Sequence, residues 1–145
     1  VSPAWTDDKN EHGYAGTTTY RGTATHGSDS PFDLQVMLIA VGPDIKPGVR
    51  SEVPSGNVDL APTILHLQGV QPLSGMDGRV MRELLRDGPA PRDVEVHAST
   101  YTTHTVLADG LRYQAELETR RVGSTVYVRS ARTQRQRASS GTDSR

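Results

Sequence analysis

The sequence has 145 residues, no cysteine, a formal net charge of −1 and a hydrophobic content of 34%. This length predicts a single domain, and the lack of cysteine excludes a disulfide framework and a cysteine-ligated metal site. No apolar run approaches ~20 residues, so no membrane span is predicted, and the near-neutral charge disfavours a dedicated nucleic-acid binder. Because the sequence starts at Val1 rather than Met, we expect a processed piece, an engineered expression fragment or a partial reading frame.

The first apolar segment comes late in the sequence. Residues 1–32 are polar and rich in glycine, threonine, serine and aspartate, which predicts a loop. The run LQVMLIAV at 34–41 follows and stops at Gly42-Pro43. A short, nearly continuous apolar run with β-branched residues predicts a strand that is buried on both faces of a sheet.

Two helices are predicted after this strand. Residues 57–69 form the first, in which Asn57 or Asp59 caps the N-terminus and Gly69 ends the helix. A second, shorter helix is predicted over residues 77–85, before the sequence Gly-Pro stops it.

The last third of the sequence predicts an antiparallel meander. Strand-like segments lie at 102–107, 111–117 and 124–128. Asp109-Gly110 between the first two is a strong hairpin signal, and Val122-Gly123 marks a second turn.

The C-terminal residues 129–145 are nearly devoid of apolar side chains. Five arginines and one aspartate give them a net charge of +4, which leaves −5 for residues 1–128. Such a segment cannot offset its own ordering entropy, so we expect a disordered basic tail after a domain at 1–128. A solvated tail is favoured over an electrostatic arm for anionic surfaces.

Three motifs in residues 26–85 resemble the C-terminal part of the alkaline phosphatase superfamily, which includes phosphatases, type I phosphodiesterases or nucleotide pyrophosphatases, and sulfatases. They are THGSDSPFD before the strand that ends in Gly-Pro, NVDLAPTILHLQG, and MDGRVMREL. The resemblance implies an α/β fold, in which the chain is the C-terminal part of a sandwich with a central mixed sheet and flanking helices, ending in an antiparallel β-hairpin region.

The resemblance also implies a metal site. In the phosphoesterase branches the site holds two zinc ions, and its last histidine lies in an H-G context before the buried strand. His26 occupies that position, so it is implied as one zinc ligand. A neutral imidazole suits zinc, and its second nitrogen would donate to a carboxylate, for which Asp29 and Asp33 both remain candidates.

The same position distinguishes the branches of the superfamily. Sulfatases carry a lysine there, so His26 favours a two-zinc phosphodiester or phosphomonoester hydrolase, with a sulfatase-like hydrolase as an alternative. The nucleophilic serine or threonine and the D-H-G motif of the family do not occur upstream. We therefore expect this chain to supply one metal-binding histidine, to lack catalytic residues of its own and to be inactive alone.

Two further residues are candidates for the substrate side of the site. His12 is placed to line it, and Trp5 is suited to stack on a nucleobase or an aryl leaving group. The expected partners are a small-molecule phosphoester, bound by the complete enzyme, and the missing N-terminal portion. A different reading is a non-catalytic remnant or interaction module on the same scaffold. The compartment stays open, although enzymes of this superfamily are often exported.

Overall fold

The structure of the chain is a computed structural model that describes residues 5–17, 27–107 and 110–137. The chain divides into two compact units, of which unit 1 comprises residues 1–36, 100–118 and 128–145 and unit 2 comprises residues 37–99 and 119–127. No helix among the described residues is long and apolar enough to cross a membrane. The helices are α1 (Pro31–Leu34) and α2 (Leu60–Leu67), the 3-10 turns are Asn57–Asp59, Arg82–Leu84 and Pro91–Asp93, and the strands are β1 (His97–Val106), β2 (Leu111–Val122) and β3 (Thr125–Arg137).

The three strands form one antiparallel sheet in the order β1-β2-β3. The N–H of Leu107 donates to the carbonyl of Leu111 at 2.8 Å and closes the first hairpin. Gly110 and Gly123 stand at the two turns with φ of 77° and 57°, a left-handed conformation that favours glycine. The predicted meander and both turns are therefore confirmed, although Asp109 lies outside the described residues.

Strand β3 is much longer than the sequence indicated. It continues to Arg137, so residues 129–137 belong to the sheet and not to a disordered tail. Pairing with β2 satisfies the backbone of this polar segment, and side chains add contacts: Arg129 Nε lies 3.6 Å from Glu118 Oε2. Residues 138–145 lie outside the described part of the chain.

Helix α2 confirms the core of the predicted helix at 57–69. The 3-10 turn Asn57–Asp59 leads directly into it, and the helix ends where the sequence placed its stop. Gly69 adopts φ of 70°, and the N–H of Val70 returns to the carbonyl of Leu65 at 2.9 Å. This is the hydrogen-bond pattern of a glycine-terminated helix.

The predicted α/β sandwich is wrong. Over the described residues the sheet is the three-stranded antiparallel one, and the longest helix is the eight-residue α2. The run at 34–41, predicted as a buried strand, joins no sheet there, and its side chains Met37, Ile39 and Val41 are 84%, 72% and 92% exposed. A strand buried on both faces needs neighbouring strands, and no strand of the described residues pairs with this run.

The predicted helix at 77–85 is also wrong, apart from the 3-10 turn Arg82–Leu84. The physical reason is that its backbone donors are taken by side chains from elsewhere. The N–H of Arg79 donates to the carboxylate of Asp59 at 2.8 Å. The N–H of Met81 donates at 3.0 Å to the hydroxyl of a buried threonine on α2. In a helix over 77–85 the N–H of Met81 would donate to the carbonyl of Asp77, so its bond to the threonine replaces a helical bond. The N–H of Arg79 would lie in the first turn, where no helical partner exists.

Lys46 fixes the loop that follows this segment in unit 2. Its ammonium donates to the backbone carbonyls of Glu83, Gly88 and Pro89 at 3.2, 2.8 and 2.5 Å. An ammonium group has three donors, and all of them are used here. Lys46 is therefore a structural residue that ties residues 83–89 together.

We expect Lys46→Met to lower the free energy of unfolding by about 1–3 kcal/mol, because the change deprives three carbonyls of their donor and keeps the length of the side chain. Lys9→Met is the matched control, because Lys9 is exposed and should change stability by less than about 0.5 kcal/mol. Urea unfolding of both variants measures the difference. Equal losses at the two positions would contradict this role for Lys46.

Candidate functional site

A cluster of four polar side chains lies inside unit 2: Asp59, Arg79, Glu83 and Tyr127, here called the buried ionic cluster. Asp59 is fully buried. Its carboxylate accepts from the N–H of Gly56 at 2.8 Å, from the N–H of Arg79 at 2.8 Å and from the hydroxyl of Tyr127 at 2.9 Å. A buried carboxylate is costly unless it is fully hydrogen-bonded, and these three donors meet that requirement.

Arg79 connects the two carboxylates of the cluster. Its guanidinium forms a two-pronged pair with Glu83, at 2.8 Å for Nη1 to Oε2 and 2.6 Å for Nη2 to Oε1. Nε donates to the Tyr127 hydroxyl at 3.0 Å, and Nη2 also donates to the Pro54 carbonyl at 2.9 Å. Burial acts to lower the pKa of Arg79, but its hydrogen bonds and charge interaction with Glu83 outweigh that effect and raise it. The planar fork is suited to this bidentate pairing.

Tyr127 is the neutral member of the cluster. Desolvation, followed by its hydrogen bond to Asp59, raises the pKa of Tyr127 to about 12, although the nearby charge of Arg79 opposes the shift. The phenol therefore stays protonated at neutral pH and donates to Asp59. No buried side-chain nitrogen or oxygen of the described residues lacks a hydrogen-bond partner. This arrangement holds backbone segments of unit 2 together.

The cluster brings together two of the motifs on which the family resemblance rests. Asp59 comes from NVDLAPTILHLQG and Arg79 from MDGRVMREL, and the two are in direct contact. Gly78 permits this approach, because a Cβ there would lie 2.0 Å from the carbonyl oxygen of Val58. The two motifs thus form one structural joint.

The predicted zinc ligand, His26, lies outside the described residues. Just after it, the hydroxyl of Ser28 donates to the carboxylate of Asp33, and the N–H of Ala131 on β3 donates to the carbonyl of Asp29 at 3.0 Å. The loop that follows His26 is therefore held both by its own serine and by β3. No group of three or more histidines, cysteines or acidic residues that could hold a metal occurs among the described residues.

Trp5, a candidate for the substrate side, is an anchor in unit 1. Its indole N–H donates to the carbonyl of Ala131 at 2.9 Å. The guanidinium of Arg132 stands 4.1 Å from the centre of its ring, and the ring of Phe32 meets it edge-on at 6.4 Å. Arg132 also pairs with Asp7 at 2.5 Å. Trp5 therefore attaches the first described residues to β3, and its polar atom is already engaged.

His12, the other candidate, lies in a tight turn of the same unit. The side chain of Asn10 accepts from the backbone N–H groups of His12 and Tyr14, both at 3.0 Å. The imidazole is exposed and lies 3.5 Å from the carboxylate of Glu11. The contacts of His12 and of Trp5 are separate, so the structure does not assemble them into one site.

An open apolar groove of about 440 Å³ lies in unit 2 between residues 38–45 and α2. Leu38 and Ile39 line one side, and Leu60, Ile64 and Leu67 line the other. These α2 side chains share one helix face by their spacing, which is the signal of a buried face. The described residues leave this face open, so the groove is a surface that the periodicity alone did not reveal.

Comparison of the chain with models of known protein families gave no match, and neither did comparison with curated proteins or with solved structures. The resemblance to the alkaline phosphatase superfamily therefore stays a prediction, and its functional consequences are proposals.

We expect Asp59→Ala to lower the free energy of unfolding by about 3–5 kcal/mol, because the backbone N–H groups of Gly56 and Arg79 and the hydroxyl of Tyr127 lose their common acceptor. Asp87→Ala is the control, since Asp87 is exposed and should change stability by less than about 0.5 kcal/mol. Chemical unfolding followed by circular dichroism gives both values. A loss below 1 kcal/mol for Asp59→Ala would show that the cluster does not hold the unit together.

The raised pKa of Tyr127 predicts that the folded chain loses stability at alkaline pH. Its pKa of about 12 in the folded chain exceeds the value near ~10 of an unfolded tyrosine, so the folded state binds this proton more tightly. This contribution is complete below pH ~10 and disappears as the pH rises to about 12. Thermal melts across this range, compared with those of Tyr127→Phe, test the linkage. The variant should lose less stability over the window, and identical slopes would refute the assignment.

Proposed function

We propose that this chain is one part of a two-zinc phosphodiester or phosphomonoester hydrolase. In this proposal His26 binds one zinc ion through a neutral imidazole nitrogen, and polypeptide outside residues 1–145 supplies the nucleophile and the other ligands. Zinc pairs stabilise the attacking and leaving oxygens of a displacement at phosphorus. Since the described residues contain no group that could hold a metal by itself, no catalytic step is assigned to them.

The observation that supports the proposal is the exposed apolar segment at 37–41. Met37, Ile39 and Val41 present most of their surface to solvent, next to the open apolar groove. Contiguous apolar patches of this kind mark sites that another protein surface covers. The chain thus carries an apolar face that suits covering polypeptide, as expected of a part of a larger enzyme.

The second support comes from the joined motifs. Asp59 and Arg79 belong to the two motifs downstream of His26, and they meet in the buried ionic cluster. The motifs that resemble the family therefore cooperate in one structural unit. Their role in the proposed hydrolase is structural, and His26 contributes one zinc ligand.

The test is to sequence the transcript upstream of the Val1 codon and to express the whole reading frame. We expect zinc-dependent hydrolysis of bis-p-nitrophenyl phosphate, with kcat/KM lowered about 100-fold or more by His26→Ala. His104→Ala is the matched control, because His104 is an exposed residue of β1, and it should leave the rate unchanged. Zinc-dependent turnover by residues 1–145 alone would contradict an external nucleophile.

The open apolar groove also favours a second candidate, a non-catalytic interaction module. This reading predicts that the whole reading frame contains no nucleophile and that the thermal melt of its product does not respond to zinc. A rise in Tm on zinc addition that disappears in His26→Ala would exclude it, because ligand binding to the folded state raises stability.

A further inference from the structure

The end of the sheet at the β1–β2 turn carries an unusual group of exposed side chains, all in unit 1. Val106 and Leu107 are 61% and 41% exposed beside the turn. Because β2 begins where the antiparallel β3 ends, arginines of both strands lie at this same end. The surface formed by Val106, Leu107, Arg112, Arg135 and Arg137 is here called the tip surface.

The arginines of β3, together with Arg112 of β2, fall into two classes. Arg129 Nε lies 3.6 Å from Glu118 Oε2, and Arg132 Nη2 lies 2.5 Å from Asp7 Oδ2, so both have carboxylate partners. The three arginines of the tip surface are exposed and form no ion pair with a carboxylate of the described residues. The acidic residue that the turn contributes, Asp109, lies outside those residues.

The tip surface also contains an aromatic residue close to its charges. Tyr113 is half-buried, and the guanidinium of Arg135 stands 5.9 Å from the centre of its ring. Tyrosine prefers the boundary between an apolar and an aqueous phase, because its ring is apolar and its hydroxyl is polar. Exposed apolar side chains, an aromatic ring and exposed cations thus lie together at one end of the sheet.

We propose that the tip surface docks on an anionic lipid bilayer. Val106 and Leu107 enter the boundary between headgroups and acyl chains, and the three arginines bind headgroup phosphates. Charge complementarity supports this partner, because the arginines, which have no carboxylate partner among the described residues, match a negatively charged leaflet. The exposed valine and leucine favour a bilayer over a nucleic acid, whose phosphate backbone offers no apolar phase to receive them. The proposal goes beyond the hydrolase function and does not depend on it.

The expected strength of docking follows from the charges. Each basic side chain near an anionic membrane strengthens binding about fivefold, so the three arginines together account for about 100-fold. The contribution falls with ionic strength, because salt screens exposed charges. Burial of the two apolar side chains adds a hydrophobic contribution to the binding free energy, and salt does not weaken this contribution.

The test measures co-sedimentation of the full chain with sucrose-loaded vesicles of phosphatidylcholine, with and without phosphatidylserine. We expect binding only when phosphatidylserine is present. The triple variant Arg112→Gln, Arg135→Gln and Arg137→Gln should bind about 100-fold more weakly. The control with the same change of net charge is the triple variant of exposed arginines in unit 2, Arg50→Gln, Arg82→Gln and Arg92→Gln, which should bind nearly as well as the wild type.

A second pair of variants tests the contribution of the apolar side chains to vesicle binding. Leu107→Asp should abolish most vesicle binding, whereas Leu73→Asp, at a leucine that is 74% exposed in unit 2, should lower it far less. Circular dichroism verifies that each variant is folded. Equal losses in the two triple variants would overturn the proposal, because binding would then follow net charge alone. The proposal would also be overturned, in favour of a nucleic-acid partner, by a different pattern of binding. In that pattern the chain does not bind vesicles but binds a single-stranded oligonucleotide, and this binding is lost in the triple variant of the tip arginines and kept in Leu107→Asp.

Discussion

The carboxylate of Asp59 is the constraint on which unit 2 depends. It is fully buried, and a buried charge is tolerated only when partners replace the water it has lost. Those partners come from three separate places in the sequence: the loop at Gly56, the turn at Arg79, and Tyr127 on β3. Arg79 in turn holds Glu83 in a bidentate pair. The positions of four chain segments are thus coupled through one acidic group.

The same unit combines an interior whose polar groups are hydrogen-bonded with a surface that leaves apolar side chains exposed. Its polar groups have their hydrogen bonds, while the apolar segment at 37–41 and the apolar groove along α2 remain open. Hydrophobic burial is the main driving force of folding and association, so an open apolar face of this kind favours association with further polypeptide. This physical contrast is the main structural sign that the chain associates with further polypeptide.

Local signals predicted the elements that local forces determine. The glycine that ends α2 and the turns of the meander follow from backbone preferences, which the sequence displays directly. The failures lie where distant partners decide. Residues 34–41 have the composition of a buried strand, but no strand of the described residues pairs with them. In residues 77–85 a threonine of α2 takes the backbone donor of Met81 that a helix would use. The buried ionic cluster was invisible for the same reason, since Tyr127 lies 68 residues from Asp59 in the sequence.

Hydrogen–deuterium exchange at the amides of residues 37–41 tests the central claim most directly. It compares the 145-residue chain with the product of the whole reading frame, under identical conditions. If further polypeptide covers this segment in the working protein, its amides exchange rapidly in the short chain and are strongly protected in the complete product, while the amide of Arg79 is protected in both. Equally rapid exchange of residues 37–41 in the two proteins would contradict the account.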